Sequence, residues 1–336
     1  VTAREIDRLR GPILRSVSRS FYLSLRILPR PLRDPLSLAY LLARATDTIA
    51  DAPGSEPKLR AESLRKLASA IQGTEPGAIA ASLRTSFTPW PSEEAERALL
   101  DALPVALDWL DSLDARDRAE VRNVLRKINQ GQLLDLERFG NGEGIRALPT
   151  ASELDEYTYL VAGCVGEFWT RICFAHIRNF SNRPEPEMRE LGGQYGKALQ
   201  LVNVLRDAGS DLRQGRCYLP AEELHSLGLK PGKILEDPER AEPIIRRWCE
   251  KAEKGLTAGI DYACAIRSRR LRLATALPAL IGARTLALLR EAGAQVFERK
   301  VKVTRAEVKK ILTSSAITLG SPRSLRKKFQ HLSRRG

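Results

Sequence analysis

The chain has 336 residues, 43% of them hydrophobic, and a formal net charge of +14. That length permits one large domain or two ordinary ones, with enough apolar content for a sizeable core. No low-complexity stretch points to disorder, no apolar run approaches the roughly 20 residues that cross a bilayer, and Val1-Thr-Ala-Arg-Glu lacks the layout of a secretory signal.

Helical periodicity runs through nearly the whole chain, and no alternating strand stands out. The pattern predicts helices over 3–28, 34–51, 57–72, 92–111, 114–138, 152–179, 186–211, 237–266, 269–292 and 304–315. Proline and glycine collect at the breaks: Pro29 to Pro35, Pro53-Gly54, Thr88 to Pro91, Gly140 to Gly144 and Pro184 to Pro186. Ser92 and Thr150 read as N-caps, the second with Glu153 placed for a capping box. With no repeat and no long linker, the expectation is one all-α domain over 1–315, a single helical bundle, followed by a basic tail over 316–336.

Five cysteines (Cys164, Cys173, Cys217, Cys249, Cys264) form no C-x-x-C pair and read as buried free thiols of a reducing cytosol. Three histidines (His176, His225, His331) make a zinc hydrolase a poor fit.

Two short segments carry the chemistry. Tyr40, Arg44, Asp47 and Asp51 have offsets of 0, 4, 7 and 11, which at about 100° per residue fall on one narrow helical stripe. Gln200, Asn203, Asp207 and Asp211 repeat this at 0, 3, 7 and 11, with Arg206 beside them. A single such stripe reads more readily as a solvated face with an Arg44–Asp47 pair. Two of them suggest facing helices in a bundle that share divalent metal, because carboxylate and amide oxygens are the ligands of a hard cation such as Mg2+. Mg2+ is bound through a few carboxylates plus substrate phosphates, so the substrate class is a diphosphate. Gly209 weakens the helix and places Asp211 near its final turn.

Other segments leave two readings open. Ser18-Arg19-Ser20-Phe21 is a phosphate clamp or an ordinary helix turn, and Arg213 to Arg216, with Tyr218-Leu-Pro220 behind it, holds phosphate or faces solvent. The glycines of Tyr157-x-x-x-Val161-Ala-Gly163-x-Val165-Gly166 admit an apolar ligand or a close helix. Asp135 supports the site or faces water. From Arg299 onward there are twelve Lys/Arg against one acid, Glu307, so +11 of the +14 lies there. This charge suits an anionic membrane surface or nucleic acid, or is simply a solvated terminus. A nucleic-acid protein would account for the charge but not for two acidic stripes, and no nucleic-acid partner is expected.

At these motifs the chain closely resembles the squalene/phytoene synthases, the head-to-head prenyl synthases. The match runs from Ser18 to about Pro220 and more weakly to about Arg305. The resemblance implies an isoprenoid synthase fold with a central cavity. It implies Mg2+ (or Mn2+) on Asp47, Asp51, Asp207 and Asp211, with Asn203 assisting. It implies diphosphate and substrate contacts from Ser18, Ser20, Tyr40, Arg44, Gln200, Arg206, Arg216 and Tyr218, and it places Tyr157 near the reacting carbons. The chain departs from the family in carrying Ser210 where Glu usually precedes the last aspartate.

The implied chemistry is ionisation of one prenyl diphosphate, capture of the allylic cation by a second, and rearrangement of a cyclopropylcarbinyl diphosphate. Asp47-Thr-Ile and Gln295-Val-Phe297-x-x-Lys300-Val-Lys302-Val303 resemble squalene synthases. Arg206-Asp-Ala-Gly and Gly215-Arg-Cys-Tyr-Leu-Pro220 are more similar to phytoene synthases. The expectation is squalene synthesis from farnesyl diphosphate with NADPH, whose phosphate would meet Lys302 and Arg305. The alternative is phytoene or dehydrosqualene synthesis without reduction. NADPH follows from the resemblance alone, since no glycine-rich nucleotide loop is visible. A cytoplasmic protein touching the inner membrane face through its basic tail is the corresponding expectation for location.

Overall fold

Proline positions and apolar stripes set the helix boundaries in this computed structural model. It describes residues 1–18, 22, 25, 28–52, 54–74, 82–83, 93–140, 144–317 and 321–334. Helices dominate, as the periodicity predicts. The chain divides into two compact units, Val1–Asn141 with Arg171–His176, and Gly142–Thr170 with Ile177–Gly336.

The first unit begins with α1 (Ala3–Arg8), capped by Thr2, a wide turn over Leu9–Ile13, and α2 (Leu14–Ser18). Pro12 interrupts the single helix expected here, because it has no N–H to continue the ladder. Helix α3 (Arg30–Ala50) starts with Pro31 in its first turn, where a missing N–H costs nothing. Its Leu38, Leu41, Leu42, Ala45 and Ile49 are all buried. The remaining helices are α4 (Pro57–Gln72), α5 (Glu94–Asp101), α6 (Leu103–Ser112) and α7 (Ala115–Phe139). The expected 92–111 helix is thus two, broken at Ala102 where Pro104 opens the next. Helices α3 and α4 both pack on α7. Arg122 of α7 closes the end of α4, donating to the Ile71 carbonyl at 2.9 Å, while Gln72 donates back to the Arg122 carbonyl at 3.0 Å.

In the second unit, Arg146–Ala147 and Arg216–Cys217 form a two-residue parallel pair, β1 and β2, too short for any sequence pattern to show. Thr150 caps α8 (Ala151–Thr158), accepting from the Glu153 amide at 3.3 Å, as expected. A wide turn over Tyr159–Gly163 leads into α9 (Cys164–His176), whose last six residues belong to the first unit. Then come α10 (Glu185–Arg213), α11 (Ala221–Ser226), α12 (Pro238–Ala265) and α13 (Arg269–Ala292). A tight turn over Gly293–Phe297 precedes α14 (Arg305–Ile317) and α15 (Pro322–Ser333).

Helix α10 is the spine of this unit and lies along α12. A Cβ on Gly166 would lie 1.9 Å from the Gly192 carbonyl oxygen, and one on Gly196 2.2 Å from that of Ala162. Of the two readings of the Gly163/Gly166 motif, close helix packing is the one these contacts describe.

Two expectations are corrected. The stretch Arg269–Phe297 is long and apolar enough to span a bilayer by length and composition. Here it is a core helix instead, with Ala276, Ala279, Leu280, Ala283, Leu286 and Leu289 buried. Within the basic C-terminal stretch, α15 was unforeseen because arginines and lysines mask three apolar residues. Those residues, Leu325, Phe329 and Leu332, are buried, and α15 packs on α12 and α13. All five cysteines are free thiols, four of them buried.

Candidate active site

Helix α3 delivers the first acidic stripe. Its apolar face enters the core of the first unit, which leaves Tyr40, Arg44 and Asp47 half-buried along the opposite edge and Asp51 exposed just past the last turn. Arg44 pairs with Glu96 at 2.8 Å, so the Arg44–Asp47 pair that a solvated stripe would form is not the arrangement adopted. Tyr40 donates to the Val17 carbonyl at 3.4 Å.

Asp47 accepts a 2.6 Å hydrogen bond from Gln132 Nε2, which reaches it from α7. Burial pushes the Asp47 carboxyl up to about 6, and neighbouring Asp51 adds to the rise, against the lowering effect of the Gln132 donor and the Arg44 charge. The other amide atom, Gln132 Oε1, is buried and has no hydrogen-bond partner among the described residues. Sequence reading missed Gln132. The signal was a glutamine on the inner face of α7 one turn from Asn129, which is also buried, with both amide atoms unpartnered among the described residues.

Helix α10 delivers the second stripe, with Gln200, Asn203, Arg206, Asp207 and Asp211 all half-buried. Asn203 donates to Gln200 Oε1 at 3.4 Å. Asp211 lies in the final turn of α10, as Gly209 suggested, although the helix runs on to Arg213. Gly209 has a second purpose, since a Cβ there would lie 2.2 Å from the Phe297 carbonyl oxygen. Asp207 is held by the Arg206 guanidinium and by Lys300, whose Nζ is 3.1 Å away. Burial alone would raise the Asp207 carboxyl, but these two cations outweigh it and hold it below its ordinary value.

Close to this helix in sequence, the Tyr157 and Tyr218 rings stack at 4.9 Å and 27°, with hydroxyls 3.5 Å apart. Both are buried, and both were expected at the substrate. Arg216, half-buried, stands on β2 beside them in sequence. Lys302 and Arg305 are exposed where the chain leads into α14. Ser18 is buried and donates to the Leu14 carbonyl one turn back, as an ordinary helical serine does. Ser20 lies outside the described residues. Asp135 is half-buried.

These donors fit a hard divalent cation. Every candidate ligand atom is an oxygen, burial penalises the ionised form of one carboxylate, the form a cation would favour, and one buried amide oxygen beside it lacks a donor among the described residues. A second cluster, Asp114, Asp117 and His176 in the first unit, brings its ligand atoms within 4.8 Å of one another. Its groups already satisfy each other. Asp114 caps α7 by accepting from the Arg116 and Asp117 amides at 3.0 Å, and His176 Nε2 lies 2.8 Å from both oxygens of Asp117. Arg171 adds a 2.6 Å bridge to Glu120 one turn along, so the cluster pins the end of α9 to α7.

The model of the squalene/phytoene synthase family matches residues 14–307. A phytoene synthase of Mycobacterium tuberculosis is 26% identical over 324 residues, covering 93% of this chain and 92% of that protein. A bifunctional lycopene cyclase/phytoene synthase of Phaeosphaeria nodorum is 29% identical over 242 residues, 71% of this chain, and the match spans 38% of that longer protein. Among solved structures, a complex of TcSQS with the ligand BPH1237 superposes with a TM-score of 0.74 at 20% identity, covering 98% of this chain and 96% of the other. That likeness establishes the shared isoprenoid synthase fold. The extent of the family match, with both aspartate motifs inside it, makes this chain a member of the squalene/phytoene synthase family.

Proposed function

We propose that the chain condenses two molecules of farnesyl diphosphate head to head, through presqualene diphosphate to squalene, with NADPH supplying the hydride of the second stage. The observation that carries the reading is the pair of acidic stripes in which Asp47 is desolvated beside an amide oxygen with no partner among the described residues, and Asp207 is charge-balanced by two cations. Asp47, Asp51, Asp207 and Asp211, with Asn203, would hold Mg2+, and Mn2+ would substitute. Bound there, the metal supplies Lewis-acid charge neutralisation to the departing diphosphate.

The protein groups do the remainder. Arg44, Arg206, Arg216 and Tyr40 would orient the diphosphates by charge-assisted hydrogen bonds. When the C1–O bond of the first substrate breaks, pyrophosphate leaves with the electron pair. The double bond of the second substrate then attacks the allylic carbon, and loss of a proton closes the cyclopropane. Tyr157 and Tyr218, stacked on each other, would have only their outer ring faces to offer such a cation. Lys302 and Arg305 are exposed cations suited to the phosphates of NADPH. In the second stage ionisation would release the second pyrophosphate; NADPH, held by Lys302 and Arg305, would supply the hydride for the reduction and be oxidised to NADP+.

A second reading, phytoene or dehydrosqualene synthesis without reduction, is favoured by Arg206-Asp-Ala-Gly and by the end-to-end match to a phytoene synthase. Purified protein given farnesyl or geranylgeranyl diphosphate with Mg2+, with and without NADPH, separates the two. A saturated-bridge C30 product that requires NADPH supports squalene synthesis. A C40 product, or an unreduced C30 product despite NADPH, overturns it.

We also infer peripheral contact with an anionic inner membrane face from the cytoplasmic side. Arg323, Arg326, Lys327 and His331 line the exposed side of α15, where each Lys or Arg near such a surface is worth about 1 kcal/mol. Deleting α15 would strip buried Leu325, Phe329 and Leu332 from the core, so charge substitution is the cleaner test.

A further inference from the structure

Lys300 reaches Asp207 from outside α10, and three features put it there. Gly209, with no Cβ, lets the Phe297 backbone lie directly on the helix. Arg213 Nη1 donates to the Phe297 carbonyl at 3.0 Å. The side chains of Val296 and Phe297 are buried, which fixes the segment in place. Three residues beyond that anchor, the Lys300 ammonium lies 3.1 Å from Asp207 Oδ1, while its side chain stays 52% exposed. The two cations on Asp207 therefore differ. Arg206 is its neighbour on the helix and bonds both carboxylate oxygens. Lys300 has a flexible stem, an ion pair with one oxygen of Asp207 and a side chain half exposed to solvent.

We propose that Lys300 stands in for the divalent cation at Asp207 and makes metal binding conditional on diphosphate. Without substrate, the ammonium neutralises Asp207 and competes with the metal for the same oxygen. When a diphosphate arrives, its charge draws Lys300 off the carboxylate and onto the anion, and the metal takes the vacated oxygen. Lys300 is thus a positioning residue that couples the two ligands, and the inference rests on the reading that Asp207 belongs to a metal–diphosphate site.

The test is Mn2+ binding to the full chain, followed by the electron paramagnetic resonance of free Mn2+, with and without inorganic pyrophosphate. Lys300→Met removes the charge and keeps most of the stem, Lys300→Gln gives a polar second version, and Lys300→Arg retains the charge. Thermal melting checks that each is folded. Parent protein should bind Mn2+ more tightly when pyrophosphate is present. Lys300→Met and Lys300→Gln should bind Mn2+ alone about three- to fivefold more tightly, the value of one partly exposed ion pair, and pyrophosphate should then strengthen binding by a correspondingly smaller factor. Lys300→Arg should keep the parental coupling. Unchanged or weaker Mn2+ binding by both neutral variants overturns the role of Lys300. If Asp207→Asn binds Mn2+ and pyrophosphate as the parent does, the metal-site reading itself fails, a result separable from the first.

Discussion

Replacing Asp47 with asparagine separates what the carboxylate does for function from what it does to stability. In the metal-free protein, burial pushes this carboxyl from 3.8 up to about 6. A carboxyl raised on folding binds its proton more tightly in the native state. Its contribution is therefore fullest below pH 3.8 and is lost as pH rises through 6. About two pH units correspond to about 3 kcal/mol, reduced to about 2 kcal/mol by the residual solvent contact of a half-buried group. Asparagine keeps the shape, and an oxygen for Gln132 Nε2, while removing the charge. In chelator at about pH 7.5, urea unfolding should find Asp47→Asn about 2 kcal/mol more stable than the parent, and the gap should close by about pH 4. With Mg2+ and pyrophosphate added, the parent should gain most of the linkage stabilisation and the variant little, while prenyl transfer by the variant should fall by at least about a hundredfold. A variant less stable than the parent in chelator at neutral pH, or a gap indifferent to pH, would refute the argument that burial dominates at Asp47.

Three further outcomes follow from the geometry. Gln132→Met removes the donor that lowers the Asp47 carboxyl, so the acid limb of the pH–rate profile should move to higher pH and activity at about pH 6 should fall several-fold more than at about pH 8. Gly166→Ala drives a methyl to 1.9 Å from a backbone oxygen and should cost about 2–3 kcal/mol in urea unfolding, whereas Gly193→Ala, with nothing nearer than 3.7 Å, should be close to neutral. Arg323→Gln with Lys327→Gln should weaken binding to vesicles containing anionic lipid by about thirtyfold while leaving the melting temperature unchanged, because both side chains are exposed.

Much of this protein is local, and what is local was legible. Apolar residues at helical spacing predicted the long helices, and prolines marked their starts. Offsets of 3, 4, 7 and 11 put each set of acidic and amide groups on one stripe whatever the rest of the chain did, because side-chain direction along a helix depends only on its period. Contacts between residues far apart in sequence carry no such periodic trace. The Gln132 donor is 85 positions from Asp47, and only the packing of α7 on α3 brings it there. Lys300 reads as one more charge in a basic run until the Phe297 backbone settles on Gly209 and sets it against Asp207. The same holds for α15, whose three apolar residues look sparse in a basic segment and acquire meaning once α12 and α13 supply a surface to bury them. Sequence fixed the direction in which these groups point, while packing decided what each of them meets.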